Sequence, residues 1–324
     1  MTEAVARANS NIPLIQSWGT RNRELGLPYT GAVSLTLDGP TSTVRWSNTA
    51  AGAADRVTIN GRPATGSVAE RLFAFAQHLR RQFGGRAHSL VDVALDDPTR
   101  EHADATLAAA ALAGSTAWGV RLARRELSML ARRAAPAAAP SVFGGFVELH
   151  SGELDDGSDC FAEPLAGAGD WPLALVTALV AAPPGAVALP DRGEAIKRSP
   201  FFPAWLARGD DDEEALRAAV LHRDLAQLGQ VMEANCLQAH AVAMAARPSL
   251  FAWRPATLAV VERVRLLRAR GVAAYFTVGT EPHVGVLCGA ADAELVADAL
   301  GGVAGVEHIW RAAPGAGAEL VESA

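Results

Sequence analysis

Among the side chains of this sequence that move protons near neutral pH, His283 stands two residues after Glu281, with Pro282 between them. An unperturbed imidazole titrates near pH 6.5, so a histidine there is able to exchange protons at neutral pH, and a carboxylate beside it can share the work of a general acid or base. Metal chemistry finds no comparable support. His222 with Asp224, and Glu233 with His240, do not supply three convergent ligands at helical spacing, and Cys160, Cys236 and Cys288 are too far apart for a zinc motif or a disulfide framework. They read as buried thiols of a reducing compartment, and no metal is expected.

The elements that must position these groups follow from periodicity. Ala32–Leu37 and Ser42–Trp46 alternate apolar and polar residues about Asp38-Gly39-Pro40, which predicts a hairpin. Ser67 and Glu70 have capping-box spacing, and Val68, Leu72, Phe75, Leu79 and Phe83 recur on one face of a helix that ends near Gly84 and Gly85. Ala103–Trp118 reads as a buried helix, Arg124–Arg133 as a short one, and Phe146–His150 as a strand. Pro, Gly and Ala gather between Gly167 and Gly193 around one buried strand, Leu173–Val180, and the boundary between two lobes, 1–178 and 179–324, is placed there. Beyond it, helices are predicted at Asp211–Arg223, Leu225–Ala246, Pro255–Arg270 and Ala291–Leu300. Strands are predicted at Ala273–Val278, Val284–Cys288 and Val306–Trp310. The lack of a regular βαβ repeat indicates an α+β, two-lobed architecture.

Composition narrows the partners. A net charge of -6 and the absence of a basic tract argue against nucleic acid. The opening residues lack the apolar core of a signal peptide, and Leu173–Ala182 is too short to span a bilayer, so a cytoplasmic protein without membrane contact is expected.

Several ordered stretches resemble the diphosphomevalonate decarboxylase family of the GHMP kinase superfamily. Residues 4–28, AVARANSNIPLIQSWGTRNRELGLP, look like an opening in which Asn-Ile precedes Lys-Tyr-Trp-Gly-Lys and Leu-Pro. Residues 127–146, LSMLARRAAPAAAPSVFGGF, look like the family's Leu-Ser-x-x-Ala-Arg segment, serine-rich loop and Gly-Gly-Phe. Ser199-Pro200-Phe201-Phe202 with Trp205, Glu233–His240 and Pro248–Thr257 keep family order. The resemblance implies a GHMP-kinase-like fold with a ribosomal-protein-S5-like N-terminal lobe and a GHMP C-terminal lobe. It also implies a homodimer.

The family's reacting residues are largely replaced. Its Gly- and Ser-rich phosphate loop corresponds to Pro98–Ala109, which lacks glycine and carries Glu101 and Asp104. Its Lys-Tyr-Trp-Gly-Lys run reads Gln16–Thr20, its loop arginine reads Pro140, and the aspartate of Thr-x-Asp-Ala-Gly-Pro-Asn reads Gly279. Glu281 and His283 lie in that last turn and are the candidate catalytic pair. Asn11, Trp18 and Ser141 survive, and they are the candidate substrate-binding residues together with His102 and His150, which are expected to face the same cleft. The reading is ATP-independent acid/base chemistry, a decarboxylase or lyase acting on a small organic acid without a cofactor. Two alternatives remain open: an ATP-dependent diphosphomevalonate decarboxylase or related kinase with relocated catalytic groups, and a catalytically silent binding protein.

Overall fold

The computed structural model describes residues 3–49, 54–85, 87–96, 102–181 and 192–321. The first half runs β1 (Glu3–Pro13), β2 (Thr20–Asn22), β3 (Leu27–Pro28), β4 (Ala32–Thr49), β5 (Arg56–Ile59), β6 (Arg62–Pro63), α1 (Gly66–Gln82), β7 (His88–Leu95), α2 (Ala103–Ala117) and α3 (Arg124–Ala134). Two 3-10 turns, Pro136–Ala138 and Pro140–Val142, lead into β8 (Phe146–Leu149) and β9 (Ala162–Ala166). The second half holds β10 (Leu173–Val180), α4 (Arg192–Ile196), α5 (Phe202–Leu206), α6 (Gly209–His222), α7 (Leu225–Met244), α8 (Pro255–Ala269), β11 (Ala274–Val278), β12 (Val284–Gly289), α9 (Ala293–Gly301), β13 (Val306–Ala312) and β14 (Glu319–Leu320).

The expected hairpin is instead the single 18-residue strand β4. Its two halves do not pair with each other. Both pair with β1, Ile12 opposite Leu35 and Ala8 opposite Ser42, and the ladder is interrupted between Asn9 and Asn11. The Asp-Gly-Pro residues fail to turn the chain back because their bonding groups look outward. Asp38 N donates to Ala313 O and its carboxylate accepts from Ala313 N, while Thr41 N donates to Asp96. The α1 helix begins at Gly66 with Thr65 as its N-cap, so Ser67 lies inside the first turn and the expected capping box does not form.

The helix α2 packs its small side chains against β1, β4, α1 and α3, and alanines 105, 108–111 and 113 are fully buried. Its alanine richness is therefore a packing requirement. A Cβ at Gly114 would meet Leu79 Cδ1 at 2.6 Å, so the helix could not sit this close with a larger residue there.

In the second half, β11-β12-β10-β13 form an antiparallel sheet. Period-two alternation divides it: Val176, Ala178, Phe276, Val286 and Cys288 face a core with α8 and α9. Leu173, Leu175, Tyr275 and Leu287 face the other way and join Leu14, Ile15, Val33, Leu35 and Phe146 of the first half in one dry core. On that face α7 approaches β11 closely, and a Cβ at Gly229 would fall 1.9 Å from the Tyr275 ring. The strand β10 pairs wholly within this second sheet, so a division at 178/179 falls inside it, and β14 returns to pair with β1. All three cysteines are free and buried, and burial pushes the Cys236 thiol up to about 12. Among the described residues no helix is long and apolar enough to cross a membrane.

One buried acid bears on stability. Glu213 of α6 lies against the backbone of Gly31, 8% exposed. Burial, with the nearby carboxylates of Glu148 and Asp210, pushes it from 4.5 up to about 8, against the opposing pull of Arg217 and the Gly31 N–H. The folded chain thus keeps a proton that the unfolded chain releases. The stability this confers is complete below about pH 4.5 and is lost as pH rises through about 8, at up to about 1.4 kcal/mol per pH unit. Glu213→Gln should remove that component. Chemical denaturation in EDTA-containing buffers from pH 5 to 9 should show the wild type losing ground to the variant as pH rises, and superimposable profiles would refute the assignment.

Candidate functional site

A cavity of about 190 Å³ lies between the two halves. One wall is Ser10, Asn11 and Ile12 of β1, the bend at Leu37 and Pro40, and His102 at the start of α2; the other is Leu175 and Thr177 of β10, the β11–β12 turn and Trp310 of β13. The irregularity between Asn9 and Asn11 re-aims β1 at this wall, a common task of strand bulges near sites.

Asp104, in the first turn of α2, binds this wall together. Its carboxylate accepts from Asn11 N at 2.6 Å, from Asn11 Nδ2 at 3.1 Å, and from Ser10 Oγ at 2.8 and 3.0 Å. Negative charge in the first turn is favoured by the helix dipole, so Asp104 brings its own anion to the helix end. Asn11 Nδ2 also donates to Ala137 O and Ser141 Oγ, both at 2.9 Å. Residues 98–101 of the corresponding family phosphate loop, Glu101 included, lie outside the described residues.

Across the cavity Gln16 joins the lobes. It is 2% exposed; its backbone N donates to Asn235 Oδ1 at 2.8 Å and its Nε2 to Thr277 Oγ1 at 3.2 Å, while its Oε1 accepts from Trp18 Nε1 at 3.0 Å. The Gln16 amide also reaches Val278 O at 3.5 Å, one residue before Gly279. A lysine at 16 and an aspartate at 279 would therefore be neighbours. Position 16 is buried, whereas position 279 is half-buried with open space where a side chain would stand, and both charges are absent.

The β11–β12 turn is held by Thr257 Oγ1, which donates to Pro282 O at 2.7 Å. Glu281 lies exposed on it, and His283 is half-buried. Both line the cavity, and among its described lining residues Glu281 is the one carboxylate. The Val180 N–H donates to His283 Nδ1 at 3.0 Å. A backbone N–H can only donate, so the neutral ring carries its proton on Nε2. In that tautomer the Nε2–H of His283 is a hydrogen-bond donor.

The cavity thus gathers four of the expected residues, Asn11, His102, Glu281 and His283. Ser141 stands behind Asn11, fully buried. Trp18 packs edge-on against His240, ring centroids 5.0 Å apart, in the cluster with Phe202 and Trp205. His150 lies at a different cavity because its strand, β8, runs along the other edge of β4 beside β9. Glu233 is spent on structure, held by Arg268 and accepting from Phe276 N at 2.9 Å.

Sequence reasoning did not assemble a second group, at α1 and the end of α3. Arg71, Phe75, His78 and Arg81 of α1, with Arg23 and Arg133, line a space of about 520 Å³. Positions 71, 74, 75, 78, 81 and 82 share one helix face, a signal present in the periodicity. Arg133 stands near the end of α3, shortly before Ala137 in the chain, whose carbonyl accepts from Asn11 Nδ2. Burial and the neighbouring Arg132 hold the Arg133 guanidinium below its usual range; burial and Arg133 lower His78. The Glu24 carboxylate, which lines the same space, acts the other way on both groups, and a bound anion would add to its relief of the repelling cations.

Known proteins resemble this chain in sequence and in fold. Residues 8–162 match the diphosphomevalonate decarboxylase-like N-terminal domain. The diphosphomevalonate decarboxylase of Aspergillus fumigatus is 27% identical over 93% of this chain and 80% of its own length; the phosphomevalonate decarboxylase of Haloferax volcanii is 27% identical over 87% of each. The mevalonate diphosphate decarboxylase of Enterococcus faecalis superposes over 99% of both chains with a TM-score of 0.91 at 30% identity, and that of Staphylococcus aureus over 99% and 98% with a TM-score of 0.92 at 25% identity.

The wall built on Asp104 yields a test independent of any substrate. Asp104→Ala should strand the Asn11 N–H and the Ser10 hydroxyl and remove the charge from the helix end, costing about 1–3 kcal/mol. Asp104→Asn should cost less. Urea denaturation measures both, and an unchanged midpoint for Asp104→Ala would show that the network carries no stability.

Proposed function

The chain belongs to the diphosphomevalonate decarboxylase family, and on that premise we propose that it is an ATP-dependent decarboxylase or related small-molecule kinase whose catalytic groups have moved. The substrate is a small organic acid, phosphorylated or not, held in the interlobe cavity. The observation that carries this reading is the arginine-lined space at α1 and the end of α3, where Arg71, Arg81 and Arg133, with Glu24 among them, supply cations that positions 16, 20 and 140 do not. Guanidinium groups suit phosphate oxygens, so the residues present fit a polyphosphate. The E. faecalis relative binds mevalonate diphosphate and ATP, and its whole-length likeness supports the same pair of ligand classes here.

Within the cavity, Glu281 is the proton acceptor and His283 Nε2–H the donor to developing negative charge; Asn11, held by Asp104 and Ser141, positions the substrate from the opposite wall. Two other arginines, Arg132 and Arg21, are used elsewhere. Arg132 donates to Leu25 O, Gly157 O and Cys160 O, and Arg21 to Gly152 O.

A specific observation favours a second reading, ATP-independent acid/base chemistry on a small organic acid. Asp104 already places a carboxylate at the helix end, and Gly279 and Gln16 have removed the family's charged pair. One experiment separates the two. Titration calorimetry with Mg-ATP, with and without diphosphomevalonate or phosphomevalonate, is combined with an assay for ADP and carbon dioxide. The ATP-dependent reading expects micromolar binding and coupled release, with the Arg71→Ala, Arg133→Ala double variant binding at least about tenfold more weakly. Turnover without ADP release would establish the second reading. In either case Glu281→Gln should slow turnover by about 10² or more, and His283→Asn should too, through a loss in kcat rather than a change of the acid limb of the pH profile. Wild-type rates in both variants would remove the pair from the mechanism.

A further inference from the structure

Away from the interlobe cavity, a space of about 680 Å³ is enclosed by β8, β9, the loop between them and the start of α6. Glu148 of β8 and Glu163 of β9 are register partners, directly opposite each other across the antiparallel ladder. Like charges in that position repel and are ordinarily destabilising. His150, two residues after Glu148, comes to the same place; ligand atoms of Glu148, His150 and Glu163 all lie within 4.8 Å of one another. An independent feature points inward as well. Glu213 lines the same space, is 8% exposed, and its Oε1 has no hydrogen-bond partner among the described residues. A buried carboxyl oxygen left so, in a wall with Asp210 and Glu214, is one that a cation in this space would satisfy in place of the proton that Glu213 otherwise keeps.

We propose that Glu148, His150 and Glu163 form a site for one divalent first-row transition cation, of the Zn²⁺ or Mn²⁺ class, distinct from the interlobe cavity. One imidazole with two carboxylates suits these ions, whereas Mg²⁺ and Ca²⁺ favour all-oxygen sets. His150 Nε2 and Glu163 Oε1 are 2.8 Å apart, sharing a proton. Two ligands at about 2.1 Å from an ion and at right angles to it lie about 3 Å apart, so a cation replaces that proton with little movement. Arg217 grips Glu148 from the helix side, Nε to Oε2 at 2.9 Å. A carboxylate has lone pairs beyond those two bonds, so Arg217 orients the ligand without consuming it. With the ion in place, the repulsion across the β8–β9 ladder becomes an attraction, and α6 is drawn onto the N-terminal sheet.

The test uses the full chain stripped with EDTA and dialysed, titrated calorimetrically with ZnCl₂ and with MnCl₂, the latter followed also by Mn²⁺ electron paramagnetic resonance. One ion per chain is expected at micromolar affinity. His150 and Glu163 are partly exposed, 31% and 50%, so His150→Asn and Glu163→Gln should fold normally, with EDTA-state melting unchanged, yet each should bind at least about tenfold more weakly. The absence of binding at millimolar ZnCl₂ and MnCl₂ would overturn the proposal. Binding that neither substitution weakens would overturn it equally, by locating the ion elsewhere.

Discussion

The buried amide of Gln16 sets the relation between the two lobes. It lies in a dry interface where each polar atom needs a partner, and its partners come from both sides: Thr277 and Asn235 from the second half, Trp18 from the first. Asn235 is in turn tied to Asp212 at 3.0 Å, so the segment after β1, α6, α7 and β11 converge on one network. Around it Leu14, Ile15, Leu175 and Tyr275 exclude water. An apolar interface alone would tolerate sliding, whereas a buried polar network has few satisfied arrangements and so specifies one. The width of the cavity and the approach of the β11–β12 turn to Asn11 follow from that single arrangement.

The distribution of charge around the cavity has a consistent logic. Positions where the family carries lysine, arginine and aspartate hold Gln16, Thr20, Pro140 and Gly279, all uncharged. The buried position among them, 16, thus holds no ion that would need a partner. Cations reappear on the exposed face of α1 and at the end of α3, and a fixed anion, Asp104, sits at the end of α2. Adjacent residues meet opposite fates here. Arg132 faces inward and spends its donors on the carbonyls of Leu25, Gly157 and Cys160; Arg133, about 100° further round the helix, lines the open space.

Much of the fold is legible from local pattern. The one-faced period of α1, the buried apolar run of β10, the alanine-rich α2 and the succession from α8 to β13 all lie within a few residues of their expected positions, because each buries one face or is wholly buried. The strand β4 is the instructive exception. Asp-Gly-Pro is a turn signal, but it commits the chain to a reversal only if the flanking halves are each other's best partners, and here β1 is the better partner for both. The site divides in the same way. Asn11, His102, Glu281 and His283 converge on the cavity; Trp18 and Ser141 were absorbed into packing, and His150 was carried to another wall.

By itself, then, the sequence determined which residue types stand at the turn after β11, that a two-lobed α+β chain would present them, and that the family's charged residues had been exchanged there. The first two rest on residue order and short-range period, and the third on the resemblance to the family. Only the tertiary structure decided which side chains meet. The Val180 amide selects the tautomer of His283 from 103 residues away, Asp104 reaches Asn11 across 93, and Glu148 faces Glu163 only because β8 and β9 pair in one register. Contacts of that separation are chosen by how whole elements pack, and a shift of one residue in any strand would send each of these groups to the opposite face.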